Sequence, residues 1–155
     1  SYGFKSMILS DSIEGESDDI GIAHGAIAKQ VIKYNQPKRP PLCILSGGET
    51  TVTVNNTNGK GGRNTQFLLS LAIYLNSMKD IYAISCDTDG IDGSEENAGA
   101  IIYPNTLKRA NKLGLNANKF LNNNDAFTFF QKLGDLVVTG PTNTNVNDFR
   151  AIIII

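Results

Sequence analysis

Between Ser17 and Tyr34 the apolar positions Ile20, Ala23, Ile27, Val31 and Tyr34 recur at spacings of three and four, the period of one buried face of an α-helix. Ser17 is placed to cap the amino end, Asp18 and Asp19 fall in the first turn, and Lys29 and Lys33 lie toward the far end, where each charge suits the helix dipole. Gly21 and Gly25 weaken the segment, and Gln36 to Pro41, with three prolines, ends it. Around this helix the pattern is strand-like. Met7-Ile8-Leu9 predicts a short strand running into Ser10-Asp11-Ser12 as loop, and Leu42-Cys43-Ile44-Leu45 predicts a buried strand. A tight Gly47-Gly48-Glu49 turn then leads to a second strand, the β-branched, alternating Thr50 to Val54.

Asn55 to Gly62 is all turn formers, after which Phe67, Leu68, Leu71, Ala72 and Leu75 restore a helical period that frays at Asn76-Ser77. Ile81 to Cys86 predicts a buried strand, Asp87 to Asn97 a loop, and Gly99 to Tyr103 a strand ended by Pro104. Pro104 opens a helix through Leu113 with Gly114 as its stop, and Asn124 caps a helix from Asp125 to Leu133 closed by Gly134. Leu136 to Thr139 and Ala151 to Ile155 are the last strands. Strands alternating with helices, several of them apolar throughout, predict an α/β fold: a mixed, mostly parallel sheet with helices on both faces, a Rossmann-like three-layer α/β/α arrangement.

A chain of 155 residues suits one domain, and 41% hydrophobic against 19% charged residues excludes disorder as the main state. Lys and Arg number 14 against 15 Asp and Glu, for a net charge of −1, so no sequence-wide basic field steers the chain to nucleic acid or to an anionic membrane. The longest apolar run is Ile152 to Ile155 and no basic-then-apolar leader opens the chain, which reads as a soluble, cytoplasmic protein. Cys43 and Cys86 each sit inside an apolar run, the setting of buried structural thiols.

In α/β sheets ligands bind beyond the carboxyl ends of strands, and four such stretches are rich in chemistry. "SGGETT" follows Leu45; its Ser46 has no G-x-S-x-G context, and the lone His24 lies on another element. "GKGGRN", Gly59 to Asn64, sets glycines and the cations Lys60 and Arg63 before a helix, where free amides and the dipole favour an anion. It is neither a Walker A loop nor G-x-G-x-x-G, and a flexible surface loop is the alternative. "CDTDGIDG" gathers Asp87, Asp89 and Asp92 after a strand, fit either for holding Mg²⁺ or supplying a base, or for ordinary turns. "TGPTNTNVND", Thr139 to Asp148, is dense in hydroxyls and amides that can bind phosphate or sugar oxygens or brace the loop itself.

Taken in order, "ILSDSIEGE", "LSGGETTVTV", "GKGGRN", "TDGIDG", "NDAFTFF", "TGPT" and "TNVND" resemble the MOFRL domain, the carboxy-terminal half of bacterial glycerate 2-kinases that are also called hydroxypyruvate reductases. The resemblance runs nearly the whole chain, from the "YGF" at Tyr2 onward, and makes it a single MOFRL-type domain over residues 1–155. It implies ATP- and Mg²⁺-dependent transfer of a phosphoryl group to the 2-hydroxyl of glycerate, in a cleft shared with an amino-terminal half. That half is expected to be missing, because the chain opens at Ser1 without Met, as an excised piece or a split-gene product would.

Carried over by motif, the family's arginine falls on Arg63 and its acidic positions on Asp89 and Asp92. Arg63 with Gly61 and Gly62 is expected to clamp phosphate or substrate carboxylate, and Asp89 and Asp92 to hold Mg²⁺ or orient the hydroxyl. Ser46, Gly47, Gly48, Glu49, Asn64, Thr88, Thr142, Thr144 and Asn145 are expected to line the site. Three positions depart from the family pattern: Asp87 where Gly precedes "TDG", Asn143 where Gly is usual, and Thr65-Gln66 in place of Gln-Glu, which removes a carboxylate at Gln66. A rival reading is an NAD(P)H-dependent reductase, for which no dinucleotide fingerprint occurs; another is a binding or structural module, inactive in isolation.

Overall fold

Side chains along the strands alternate between a fully buried face and a half-exposed one, and that alternation organises the molecule. In the computed structural model, which describes residues 3–155 and so leaves Ser1 and Tyr2 of the "YGF" segment outside the described residues, a seven-stranded sheet has the order β1-β3-β7-β4-β5-β6. The strands are β1 (Lys5–Ile8), β2 (Ile13–Glu16), β3 (Leu42–Thr51), β4 (Ile81–Asp87), β5 (Gly99–Ile102), β6 (Leu136–Val137) and β7 (Asp148–Ile154). The helices are α1 (Ser17–Tyr34), α2 (Arg63–Leu75), α3 (Thr106–Lys112), α4 (Ala117–Asn122) and α5 (Ala126–Leu133). β1 and then β2 pair in parallel with successive halves of β3.

The α/β class and the mixed sheet are as expected; the proportions differ. Five strands point one way, yet β3–β7, β7–β4, β4–β5 and β5–β6 are antiparallel, so only the two pairings along β3 are parallel. The reason is in the connections. Parallel neighbours need a crossover, usually a helix, whereas residues 88–98 and 138–147 join their strands by loops alone. The next strand must then enter from the end where the last one left. Both loops therefore sit at one end of the sheet, with α2's start beside them.

The expected second helical layer is likewise absent among the described residues. Ala28 and Val31 of α1, Phe67 to Leu69 of α2, Ala110 of α3, Phe129 and Phe130 of α5, and Phe120 of α4 all join one core with Leu42, Ile44, Ile81, Ala83, Ile102, Ile152 and Ile154. The sheet residues named there share one face by register, Ile44, Ile152, Ala83 and Ile102 forming one row across four strands. The other face carries Cys43, Leu45, Tyr82 and Ile84 half-buried, and Phe149 44% exposed. Runs such as Leu42 to Leu45, apolar at every position, signalled burial on two faces, and this chain covers one.

Moving toward the loop end, the helix-facing rows turn polar: Ser46, Arg150 and Ser85 form one row, and Gly48, Asp148 and Asp87 the next. There β3 does not turn at Gly47-Gly48 as expected but continues as one ten-residue strand. Gly48 has φ of +119°, and a Cβ there would lie 2.2 Å from the Ile13 amide nitrogen of β2, so glycine allows the two strands to meet.

A carboxylate-held arginine at the candidate active site

The amino end of α2 is where the polar rows meet a helix, and its first residue carries the site. Arg63 reaches across three strands: Nε donates to Asp148 Oδ1 at 2.9 Å, Nη1 to Glu49 Oε1 at 2.8 Å and Nη2 to Asp87 Oδ2 at 2.7 Å. Burial works against its charged form, but the Asp148 charge and the bonds to Asp148, Glu49 and Asp87 outweigh that and hold Arg63 above the usual arginine range. A guanidinium has five N–H donors, so two remain. With its side chain 25% exposed, Arg63 lines a cleft of about 650 Å³ together with Thr50, Gly61, Gly62, Asp87 and Asp89.

Asp92 lies beneath this cleft and is 1% exposed. Its Oδ1 accepts the Asn64 amide at 2.8 Å, and its Oδ2 accepts the Thr65 amide and hydroxyl, each at 2.9 Å. It thus satisfies the open amides that begin α2, the work of a helix cap done from a distant loop. Burial pushes its carboxyl upward and these bonds from Asn64 and Thr65 pull it back. Buried outside the cleft lining with both oxygens turned to the start of α2, Asp92 serves the helix and not the metal-binding or catalytic role expected of it.

Asp89 stands at the cleft, its Oδ1 accepting the Ile91 amide at 2.8 Å and its Oδ2 the Asn145 side chain at 3.4 Å. Asp87 Oδ1 accepts the Asp89 amide at 3.1 Å, and burial raises the Asp87 carboxyl, with Arg63 opposing. Among the described residues no group of three or more His, Cys, Asp or Glu side chains converges as a metal site.

The other expected residues divide. Glu49, Gly61 and Gly62 are at the site, although the Gly62 amide is already bonded to Thr65 Oγ1 at 3.1 Å. A Cβ on Gly62 would lie 2.4 Å from Asp92 Oδ1, so that glycine is needed for the loop to pack over its cap. Lys60 turns aside to Glu95 at 3.5 Å. Asn64 is buried, bonding Asp148 Oδ1 at 2.8 Å and accepting from Ser85 at 2.6 Å. Ser46, Gly47 and Gly48 are internal to β3, and Ser46 Oγ meets His24 Nε2 at 2.9 Å. The His24 Nδ1 bonds the Ile20 carbonyl at 2.8 Å, so Nδ1 carries the proton and Nε2 accepts from Ser46, with no carboxylate behind it.

Thr88, Thr142, Thr144 and Asn145 brace the two loops against each other. The Thr88 hydroxyl donates to the Asn147 carbonyl at 2.8 Å and accepts the Val146 amide at 2.9 Å, while the Thr142 amide reaches the Asp89 carbonyl at 3.0 Å. The Thr144 amide donates to Thr142 Oγ1 at 3.3 Å. Asn143 adopts φ of +59°, the left-handed conformation that asparagine tolerates. Neither thiol is activated: burial, with the Asp92 and Asp87 charges adding, pushes Cys86 up to about 12, and burial raises Cys43.

Residues 42–148, from the middle of the sheet to the Asp148 that grips Arg63, match the model of the MOFRL family. The chain belongs to the MOFRL family. A protein of Agrobacterium vitis, provisionally named a hydroxypyruvate reductase, is 48% identical over 98% of this chain and 40% of its own length. The D-glycerate 2-kinase of Thermotoga maritima is 38% identical over 94% of the chain and 35% of its own length. A crystal structure of glycerate kinase from the same organism superposes with a TM-score of 0.96 at 37% identity, covering 99% of this chain and 37% of that one. The chain thus spans between 35 and 40% of the length of these relatives.

Arg150 and Ser85 of this MOFRL site escaped the sequence reading, and Asp148, counted only as the end of the Thr139 to Asp148 stretch, was not given its role as the partner of Arg63. A signal existed. Asp148, Arg150, Ile152 and Ile154 alternate with period two, and a strand begun at Asp148 instead of Ala151 sends both charges to the buried face.

Proposed function

We propose that this chain is the part of a glycerate 2-kinase that forms one wall of an interdomain cleft, in which ATP phosphorylates the 2-hydroxyl of glycerate in the cytoplasm. The observation that carries the proposal is Arg63, fixed by Asp148, Asp87 and Glu49 at the cleft with two N–H donors unspent. Phosphoryl transfer depends on positioning and charge stabilisation more than on covalent chemistry. A guanidinium held on three sides gives up little freedom when a phosphate or carboxylate oxygen arrives.

Mg²⁺ commonly takes one or two protein carboxylates and completes its shell with water and substrate phosphates. Asp87 and Asp89, carboxylates which both line the cleft, would hold it, whereas Asp92, 1% exposed and outside the lining, is out of reach. When bound, the ion neutralises charge on the transferring phosphate. Asp89, held by Ile91 and Asn145, would orient the glycerate hydroxyl. The remaining residues of the relatives, their amino-terminal half, would supply the opposite wall and the rest of the nucleotide contacts.

The test is a glycerate kinase assay on the polypeptide that joins these residues to that half. Arg63→Ala is expected to lower kcat/KM by at least about 10²-fold, the scale of one lost transition-state contact. An unchanged rate removes Arg63 from the mechanism. NADH oxidation with hydroxypyruvate, in place of ADP formation with glycerate, overturns the kinase reading in favour of a reductase.

A further inference from the structure

Arg150 is 0% exposed in the middle of the central strand β7. Its Nη2 donates to Asp148 Oδ2 at 2.5 Å and to Thr50 Oγ1 at 3.1 Å, and its Nη1 to the Gly47 carbonyl at 3.4 Å. The guanidinium lies 5.2 Å from the Phe67 ring centroid, and its Nε has no partner among the described residues. Burying a guanidinium that spends three of its five N–H donors and leaves Nε unpartnered is a poor device for stability, since a well-packed apolar side chain of similar volume serves a core as well or better. The charge therefore calls for another explanation.

Asp148 provides it. The two oxygens of this carboxylate divide their work, Oδ2 accepting from Arg150 and, at 3.4 Å, from the Thr50 amide, and Oδ1 facing Arg63 and Asn64. With Oδ2 held from below, Oδ1 has one orientation, and Arg63 must bring Nε to it. The Nη groups are then left for Glu49, Asp87 and the cleft. Without Arg150, Oδ2 keeps only the 3.4 Å bond from the Thr50 amide, and Asp148 is freer to turn about its Asn64 contact and take Arg63 through both oxygens, the fork geometry that Arg and carboxylate favour, drawing an Nη donor away from the cleft.

We infer that Arg150 is a positioning residue which, through Asp148, fixes the rotation of the Arg63 guanidinium at the site; its effect on turnover rests on the kinase reading above, whereas its effect on Arg63 does not. The same buried charge reaches toward α1, because Thr50 Oγ1 also accepts from Ser17 at 2.9 Å. Seating of α1 and orientation of Arg63 thus share one side chain.

Two experiments separate the parts. In ¹⁵N-resolved spectra of this chain, the Arg63 Nε–H signal, protected by Asp148, is expected to shift or be lost to exchange in Arg150→Met and to be retained in Arg150→Lys, which restores the charge. Amide spectra that stay native outside the site establish that each variant folds. An unmoved Arg63 signal in folded Arg150→Met overturns the inference; should that variant not fold, failure of folded Arg150→Gln to move the signal overturns it equally. In the kinase assay on the joined polypeptide, Arg150→Met is expected to reduce kcat by about 10²-fold, the scale of a misplaced group, with KM little changed. It should add nothing in an Arg63→Ala background. Additive losses in that double variant also overturn the inference, because they make Arg150 act independently of Arg63. A moved Arg63 signal in a protein without glycerate kinase activity leaves the positioning role standing and removes only the proposed reaction.

Discussion

Asp92 is an acidic loop residue beside the candidate site, yet its geometry gives it a task in folding. The Asn64 and Thr65 amides and the Thr65 hydroxyl all point at one carboxylate, and no water-exposed alternative exists at 1% exposure. Replacing it strands these donors at once. Loss of a cap costs about 0.5–2 kcal/mol, and each buried donor left unmet adds about 1–3 kcal/mol when water cannot enter. Asp92→Ala is therefore expected to lower stability by about 3 kcal/mol, or a Tm drop of roughly 6–12 °C for a domain of this size. Thermal unfolding followed by circular dichroism reads this directly, and a shift below 2 °C would return Asp92 to the list of available ligands. Sequence spacing placed Asp89 and Asp92 in the same loop; it could not show that Asp89 faces the cleft while Asp92 faces α2. That distinction depends on Gly93, whose φ of +77° brings the loop against Gly61 and Gly62.

At the scale of elements, the two glycines that weaken α1 are its contact with α2. A Cβ on Gly21 would stand 2.7 Å from the Phe67 carbonyl oxygen, and one on Gly25 would stand 2.5 Å from Tyr74 Cδ1. At Gly21 the obstacle is backbone, which cannot rotate away. Helix propensity favours alanine over glycine by about 1 kcal/mol, and overpacking opposes it by typically about 1–3 kcal/mol. Gly21→Ala is expected to destabilise by up to about 2 kcal/mol net, and urea unfolding that gave a higher midpoint would show that the helices separate at no cost. α2 was legible in the sequence because its apolar stripe is its packing face. The span of α1 was legible too, but not its buried side, since Ala23 and Tyr34 of the expected stripe are exposed and the helix packs through Gly21, His24, Gly25, Ala28 and Val31. β2 and α4 were not legible. Ile13 to Glu16 has no apolar alternation and forms a strand only because β3 extends past Leu45 to receive it. Ala117 to Asn122, too short to show a helical period, is held by the Asn116 cap on the Lys119 amide at 3.1 Å and by Phe120 and Leu121 packing on the core. Ser17, legible as a cap, instead spends its hydroxyl on Thr50, a partner 33 residues away that local sequence cannot reveal.

The whole molecule places one titratable group where global stability and the candidate site meet. His24 is 4% exposed, wedged between Ser46 and the edge of the Phe67 ring at a centroid distance of 5.2 Å. Burial lowers its pKa below 6.5, the Ile20 carbonyl opposes that, and the Arg150 charge reinforces it. The sign follows from linkage: below pH 6.5 the unfolded chain takes up a proton that the folded chain refuses. Stability contributed by His24 is thus complete above that pH and is lost progressively down to the folded value. Asp18, Asp87 and Asp92, all raised by burial, run the other way, being more readily protonated when folded. The comparison must therefore be between proteins at each pH. From pH 7.5 to 5.5 the Tm of the native chain is expected to fall relative to His24→Gln, approaching about 3–5 °C per pH unit where one full proton is linked. Parallel curves would mean that water reaches the imidazole through α1, and the seal over Ser46 and Arg150 would then be open rather than closed.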